Sequence, residues 1–294
     1  MKRVFLLVLT NLAILLVISL VAQITGLDAW LARQGGSLAG LLVVAALFGF
    51  GGSLISLLIS KWMAVRTMGV RVIQQPTNAT EQWLVETVRR LASQAGVGTP
   101  EVGVFDSPQP NAFATGASRD HALVAVSSGL FSVMKQDEIE AVIGHELTHV
   151  ANGDMVTLTL IQGVLNTFVF ALSRIVGNIV DRSMSRDGEG NGAAYFLTVM
   201  ATQLVLGILA TIIVMWFSRW REFRADAGGA RLAGRPRMIA ALERLRDAHD
   251  DPLPSNMSAF GISGGEGNAL SRLFMSHPPL EARIAALRAA GADA

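Results

Sequence analysis

The sequence predicts a mainly α membrane protein, with two hydrophobic helical hairpins and a soluble α+β part containing a small sheet. Three observations predict it. The 294-residue chain is 51% hydrophobic and only 16% charged, too oily for two ordinary soluble domains. Uncharged runs recur in pairs, at 4–27 and 34–60 and again at 155–173 and 190–218. The stretches between and after these pairs carry charge, glycine and proline breaks, and helical or strand periodicity. The expected organisation is therefore 1-60 as an N-terminal transmembrane hairpin, 61-154 as a soluble region, 155-218 as a second hydrophobic hairpin and 219-294 as a second soluble region.

The run from Val4 to Leu27 is long enough, at 1.5 Å per residue, to cross a hydrocarbon core of roughly 30 Å. It follows Lys2 and Arg3 as a signal peptide would, but it exceeds the roughly 7–15 apolar residues of a cleavable segment, and a second run begins at Gln34. A retained hairpin is the expectation. Lys61, Arg66 and Arg71 follow that second run, whereas the short connection holds Asp28 and Arg33, so the positive-inside rule puts both ends of the hairpin in the cytoplasm.

Thr80 and Glu81 open a helix with apolar Trp83, Leu84, Val88 and Leu91 near a 3.6 spacing, and Gly96 closes it. Glu101 to Phe105, Asn111 to Thr115 and Ala122 to Val126 read as short strands. Asp137 with Glu140 resembles a capping box for a helix carrying Ile139, Val142, Ile143, Leu147 and Val150, which Asn152-Gly153 ends. In the next apolar run Gln162, Asn166 and Arg174 would be costly facing lipid, so a buried helix that only dips into the bilayer is the alternative to a span. Asp181 to Asn191 reads as a loop, and Arg219, Arg221, Arg224, Arg231, Arg235 and Arg237 after Ser218 again mark a cytoplasmic side. Pro236 to His249 reads as a helix with proline in its first turn, Gly261 to Asn268 as a glycine-rich loop, and a last helix starts at Pro279.

Charge and cysteine content narrow the chemistry. With 24 basic and 23 acidic residues the net charge is +1, which excludes the electrostatic footprint of a nucleic-acid binder. No cysteine is present, so disulfides, thiolate metal sites and a cysteine nucleophile are out, and any metal must be held by His, Asp or Glu. The histidines are His121, His145, His149, His249 and His277.

His145-Glu146-Leu147-Thr148-His149 is an H-E-x-x-H pattern on a predicted helix. The i, i+4 spacing puts both imidazoles on one face, roughly 5–6 Å apart at Cβ, so that they can bind one ion. Glu146 turns away from direct ligation toward where water on that ion would lie, and such water has its pKa lowered to about 7, so a carboxylate can act as its base. A catalytic zinc site takes three protein ligands and keeps a fourth position open. Glu222 and Asp226 stand at i and i+4 on the helix that continues out of the last apolar run. Two readings are open at this point. Either Glu222 ligates while Asp226 accepts the spare N–H of a ligating ring, or both carboxylates pair with Arg221 and Arg224 on a charged helix beside the membrane.

The chain resembles the membrane-bound zinc metalloproteases of the HtpX family, within peptidase family M48 and related to the CAAX-prenyl protease Ste24. The resemblance rests on an N-terminal hairpin, the motif from Pro110 to Gly116, the segment His145 to Asp154, the segment Arg221 to Asp226, and Ser276-His277-Pro278-Pro279, in that order over nearly the whole length. It implies a cytoplasmic zincin-like metalloprotease domain, with His145, His149 and Glu222 holding one Zn2+ per chain, Glu146 as catalytic base and Asp226 as partner of a ligand ring. It also implies a multi-pass protein of the bacterial inner membrane whose active site faces the cytoplasm. Its partners would be the lipid bilayer and misfolded or damaged membrane protein substrates, cleaved in quality control and stress response.

For His277 the resemblance implies either an oxyanion donor or a latch on the zinc, against the plainer role of a histidine that only starts a helix. His121 and His249 are expected in solvent; for Arg283 a surface ion pair is the default expectation, with a direction toward the cleft as the alternative. Asn111, Ala112, Phe113 and Ala114 read as an edge strand to which an extended substrate adds, against an interior strand with Phe113 in the core. Two other functions are weighed. An intramembrane protease would bury H-E-x-x-H in a span, which the upstream Lys135, Asp137, Glu138 and Glu140 oppose; a metal-binding transporter would carry carboxylates in its apolar runs, which hold none.

Overall fold

The computed structural model describes residues 38–184, 192–248, 273 and 275–290. The expected first span at 4–27, its flanking charges, His249 and the glycine-rich loop 261–268 lie outside the described residues. Eight helices and four strands are described: α1 (Leu38–Met68), β1 (Arg71–Val72), α2 (Ala79–Ala95), β2 (Glu101–Phe105), β3 (Ala112–Thr115), β4 (Leu123–Ser127), α3 (Ser128–Val133), α4 (Gln136–Asn152), α5 (Asp154–Met184), α6 (Gly192–Ala233), α7 (Arg235–Asp247) and α8 (Leu280–Ala289). They fall into two compact units. One takes α1 up to Ser56 with Leu158–Val214; the other takes Leu57–Thr157 and the chain from Met215 onward.

The first unit is apolar outside and partly polar inside. Phe48 stacks on Phe170 with ring centroids 5.7 Å apart, beside buried Val44, Ala45 and Ala171. Small residues allow this approach: a Cβ on Gly163 would lie 2.6 Å from the Phe50 ring, and one on Gly49 would lie 2.3 Å from the Thr167 hydroxyl. The polar residues that made a span doubtful point inward. Arg174 is 2% exposed with its guanidinium 3.4 Å from the Phe170 ring centroid, and buried Asn166 accepts a hydrogen bond from Gln162 at 3.0 Å. Leu47, Ile179 and Leu197 are each more than three-fifths exposed. Outward apolar and inward polar side chains are the pattern of a lipid-facing bundle. Ala39–Met68, Asp154–Met184 and Ala193–Ala233 are each long and apolar enough to cross a membrane. Helix α5 continues to Met184, so Asp181 to Met184 are helical and not loop; no glycine or proline breaks the chain between Asn178 and Met184.

The second unit is built on a sheet of order β1-β2-β4-β3. β2 pairs with β4 in parallel and β3 with β4 antiparallel, leaving β3 as an edge. All of β4 is buried, and it runs from Leu123 to Ser127, one residue later than its expected start. On one face Ala114, Val124 and Val126 pack with Leu84, Val88 and Leu91 of α2, Ile139, Ile143 and Leu147 of α4, and Met238 and Leu242 of α7. On the other face Phe105 and Phe113 meet at 5.6 Å beside Val70, Leu123 and Ala125. Helix α2 starts at Ala79, one residue before the expected Thr80, with Asn78 as a cap accepting from the Glu81 N–H at 2.9 Å, and ends as expected at Gly96, in the left-handed region at φ 68°. The proline expected in the first turn of α7 is there.

Candidate active site

Helix α4 carries the H-E-x-x-H pattern. It starts two positions before the expected capping box: the Glu138 carboxylate accepts from the Lys135 N–H at 2.8 Å. Glu140, which the sequence assigned to that task, faces Arg90 at 2.9 Å instead. Ile139, Ile143 and Leu147 anchor one side of α4 in the core and turn His145 and His149 toward α6. Glycines let the two helices close: a Cβ on Gly144 would stand 3.4 Å from the Gly229 Cα, and one on Gly229 would stand 3.0 Å from the His145 nitrogen. At Gly228 a Cβ would lie 2.2 Å from the Thr148 methyl group.

This approach brings Glu222, on α6, to both histidines. His145 Nε2 and His149 Nε2 are 3.2 Å apart, and the Glu222 oxygens lie 3.4 Å and 3.3 Å from them respectively. A tetrahedral ion with bonds of about 2.0–2.1 Å separates its ligands by about 3.3–3.4 Å, so the triangle has the size that zinc requires. Glu222 is fully buried; its oxygens face nitrogens of His145, His149 and His277 at 3.4, 3.3 and 2.8 Å, and none of these contacts has good hydrogen-bond geometry. Buried acceptors left this way cost free energy unless something else satisfies them, and a cation would. Arg221 makes only a long 3.9 Å pair with Glu222, Arg224 lies over the Trp220 ring, and both Glu222 and Asp226 are buried, which does not suit an exposed charged helix.

Each ring is held from behind. Asp226 Oδ1 lies 3.0 Å from His145 Nδ1. Arg283, expected on the surface, is 3% exposed and grips Asp226 with Nε at 2.7 Å and Nη2 at 2.6 Å. The α8 helix thereby reaches the site by a bidentate charge-assisted pair. Asp154 Oδ2 lies 2.6 Å from His149 Nδ1. This partner was missed in the sequence because Asp154 follows the helix break: Gly153 adopts φ 68°, the chain reverses, and the first residue of α5 comes back onto the ring. Burial acts first on both rings, pushing their pKa values down. The neighbouring carboxylates of Asp226 and Glu222 outweigh it at His145 and raise it to about 9, and those of Asp154 and Glu222 raise His149.

Glu146 is half-buried and accepts from the Ala114 N–H of β3 at 3.0 Å. His277 Nδ1 lies 2.8 Å from Glu222 Oε2, so this histidine belongs to the cluster and does more than start α8. His121 is exposed, as expected, with Ser118 3.1 Å from its ring.

The comparisons with known proteins agree with this geometry. The profile of peptidase family M48 matches residues 78–290. The chain is 64% identical to a protease HtpX homolog of Thiobacillus denitrificans, over 98% of this chain and 99% of that one. It is 61% identical to protease HtpX of Thioalkalivibrio sulfidiphilus, again over 98% and 99%. The crystal structure of Ste24p from S. mikatae superposes with a TM-score of 0.64 at 18% identity, covering 92% of this chain and 67% of that one, and shares the fold.

Proposed function

The chain belongs to peptidase family M48 and is a membrane-associated metalloprotease; from that premise we propose that it is a zinc endopeptidase of the bacterial inner membrane that cleaves misfolded or damaged membrane proteins on the cytoplasmic side. The observation that carries the zinc assignment is the buried triangle of His145, His149 and Glu222, whose ligand atoms all lie within 4.8 Å of one another.

These three residues would hold the ion. When bound, zinc supplies a Lewis acid that makes water nucleophilic near neutral pH and polarises the scissile carbonyl. Glu146, next in the chain to one ligand and barred from ligating by its direction, takes the proton of the attacking water and passes it to the departing amine. Asp226 and Asp154 fix the tautomer and angle of the two rings, and Arg283 fixes Asp226. An extended substrate adds to the open edge of β3. Asn111 O accepts from the Ser127 N–H, so Asn111, Phe113 and Thr115 turn their backbone groups to β4, while Ala112 and Ala114 turn theirs outward beside Glu146. Main-chain pairing makes little demand on sequence, which suits a protease that meets varied damaged proteins.

The ligand set is tested by metal analysis. Glu222→Ala should leave the purified protein with well under half a zinc per chain, because two imidazoles alone hold the ion weakly. Asp226→Asn should weaken binding by only about 10–100-fold, or about 1.4–2.7 kcal/mol. Equal zinc in Glu222→Ala and the unsubstituted protein would refute the assignment.

A further inference from the structure

Beside the ligand triangle the same unit encloses a cavity of about 260 Å3, walled by Ala117 and Ala122 from the β3–β4 connection and by His149, Val150, Met155 and Val156 from the α4–α5 junction. We propose that this cavity is a specificity pocket that receives one large apolar side chain of the substrate, close to the bond that is cut. The proposal deepens the endopeptidase reading and rests on it.

Position carries the first part of the argument. The cavity touches Thr115, the last residue of β3, and His149, a corner of the triangle. A substrate strand laid along the outward edge of β3 therefore runs past the triangle toward the cavity mouth. Along such a strand side chains alternate, and those on one side repeat about every 6.8 Å. A residue within one or two positions of the reacting bond thus falls at the cavity.

Chemistry selects the occupant. Alanine, valine and methionine side chains make the named walls apart from His149, whose Nδ1 is taken by Asp154. No carboxylate lines the cavity; of its polar lining residues, Arg119 and Ser118 are exposed, and the hydroxyls of Ser118 and Thr115 lie 3.1 Å from His121 and Ser60 respectively. A charged or hydrogen-bonding side chain would leave water for walls that cannot replace its partners, whereas an apolar one would gain by burial. The volume lies just under the roughly 300–1,000 Å3 of pockets that enclose drug-sized molecules, the scale of a single side chain with room to settle.

The walls are also set in advance. Gly116 sits at φ 147° with a would-be Cβ 2.6 Å from the His121 carbonyl oxygen, so the turn that presents Ala117 depends on glycine there. Gly153, in the left-handed region, fixes the α4–α5 junction on the opposite wall. A pocket bounded by two such backbone features can discriminate by size, since it does not collapse round a small side chain.

The experiment uses the full chain, purified in detergent and loaded with zinc, against a peptide library randomised around the cut site and read by mass spectrometry. The unsubstituted protein should favour leucine or phenylalanine over alanine by at least about tenfold at one position. Ala117→Trp, which fills the cavity, should bring that ratio down to about one; Met155→Ala, which enlarges it, should move the preference from leucine to phenylalanine. Zinc-loaded Glu146→Gln provides a second readout, because its Kd for the same peptides should follow the same order with no cleavage involved. An unchanged ratio in both wall variants, with zinc retained, overturns the pocket and leaves the protease reading standing. Absence of any cleavage by the unsubstituted protein sinks that reading and the pocket with it. If Ala117→Trp does not fold, Met155→Ala alone decides.

Discussion

A carboxylate as deeply buried as Glu222 is tolerated only where positive charge surrounds it, and the residues round it supply that charge in a form a metal can take over. Protons and zinc compete for the two imidazoles. His145, raised to about 9, and His149, raised likewise, sit above the ordinary value of the unfolded chain. Protonated rings therefore stabilise the fold fully below about pH 6.5; the His145 contribution fades as the pH rises through about 9, and that of His149 also fades above the ordinary imidazole range. Zinc requires the neutral rings, so the increase in Tm on adding zinc should grow between about pH 6 and about pH 8. A zinc-induced increase that shrinks across that window would mean that the ion binds elsewhere. At this scale the sequence showed what short spacing can show: His145, Glu146 and His149 within one turn and Glu222 with Asp226 within another. The pairing of Asp154 with His149 and that of Arg283 with Asp226 are not legible there, because no local pattern announces them. One depends on a reversal at Gly153, and the other crosses from α8 to Asp226, 57 residues away in the chain.

Among the elements, β3 bears most on function, and its hydrogen-bond register makes the docking hypothesis testable. Ala114 is a poor site to probe, since its N–H already holds Glu146. Ala112 also turns its N–H away from β4, and proline is tolerated on edge strands. Ala112→Pro should raise KM about 3- to 10-fold, the worth of one backbone hydrogen bond of roughly 0.5–1.5 kcal/mol, with zinc content and Tm little changed. A large fall in Tm together with zinc loss would make β3 an interior strand and end the hypothesis. Phe113 packs half-buried against Phe105 on the face opposite α4, so the side chain the sequence weighed as core is partly that, on an edge strand nonetheless. Three helix boundaries were legible, Gly96, Gly153 and Pro236 acting as caps or first-turn residues, whereas the Asn78 cap of α2 was not read. The start of α4 was misplaced by two residues because Asp137 with Glu140 and Lys135 with Glu138 have the same three-residue spacing; the backbone caps at Lys135, and Glu138 accepts from its N–H. The parallel pairing of β2 with β4 was beyond reach of the sequence, since strand order follows from long-range packing and not from local pattern.

For the whole molecule, the placement of His145 and Glu222 in one compact unit constrains the path between them. If one ion binds both, α5 and α6 cross the bilayer together or not at all. We expect them to cross, with 185–191 in the periplasm. The native chain has no cysteine, so labelling has no background. Met184→Cys in intact cells should react with a membrane-impermeant maleimide added from the periplasm, while Gln94→Cys should react only after the inner membrane is opened. The reverse pattern would invert the topology. The central claim, that His145, His149 and Glu222 hold zinc for Glu146 to use, is met most directly by Glu146→Gln, with zinc per chain and peptide hydrolysis measured on one purified sample. The account predicts one zinc per chain with turnover reduced about 10²- to 10⁴-fold. Turnover near that of the unsubstituted protein, or loss of the zinc, would contradict it.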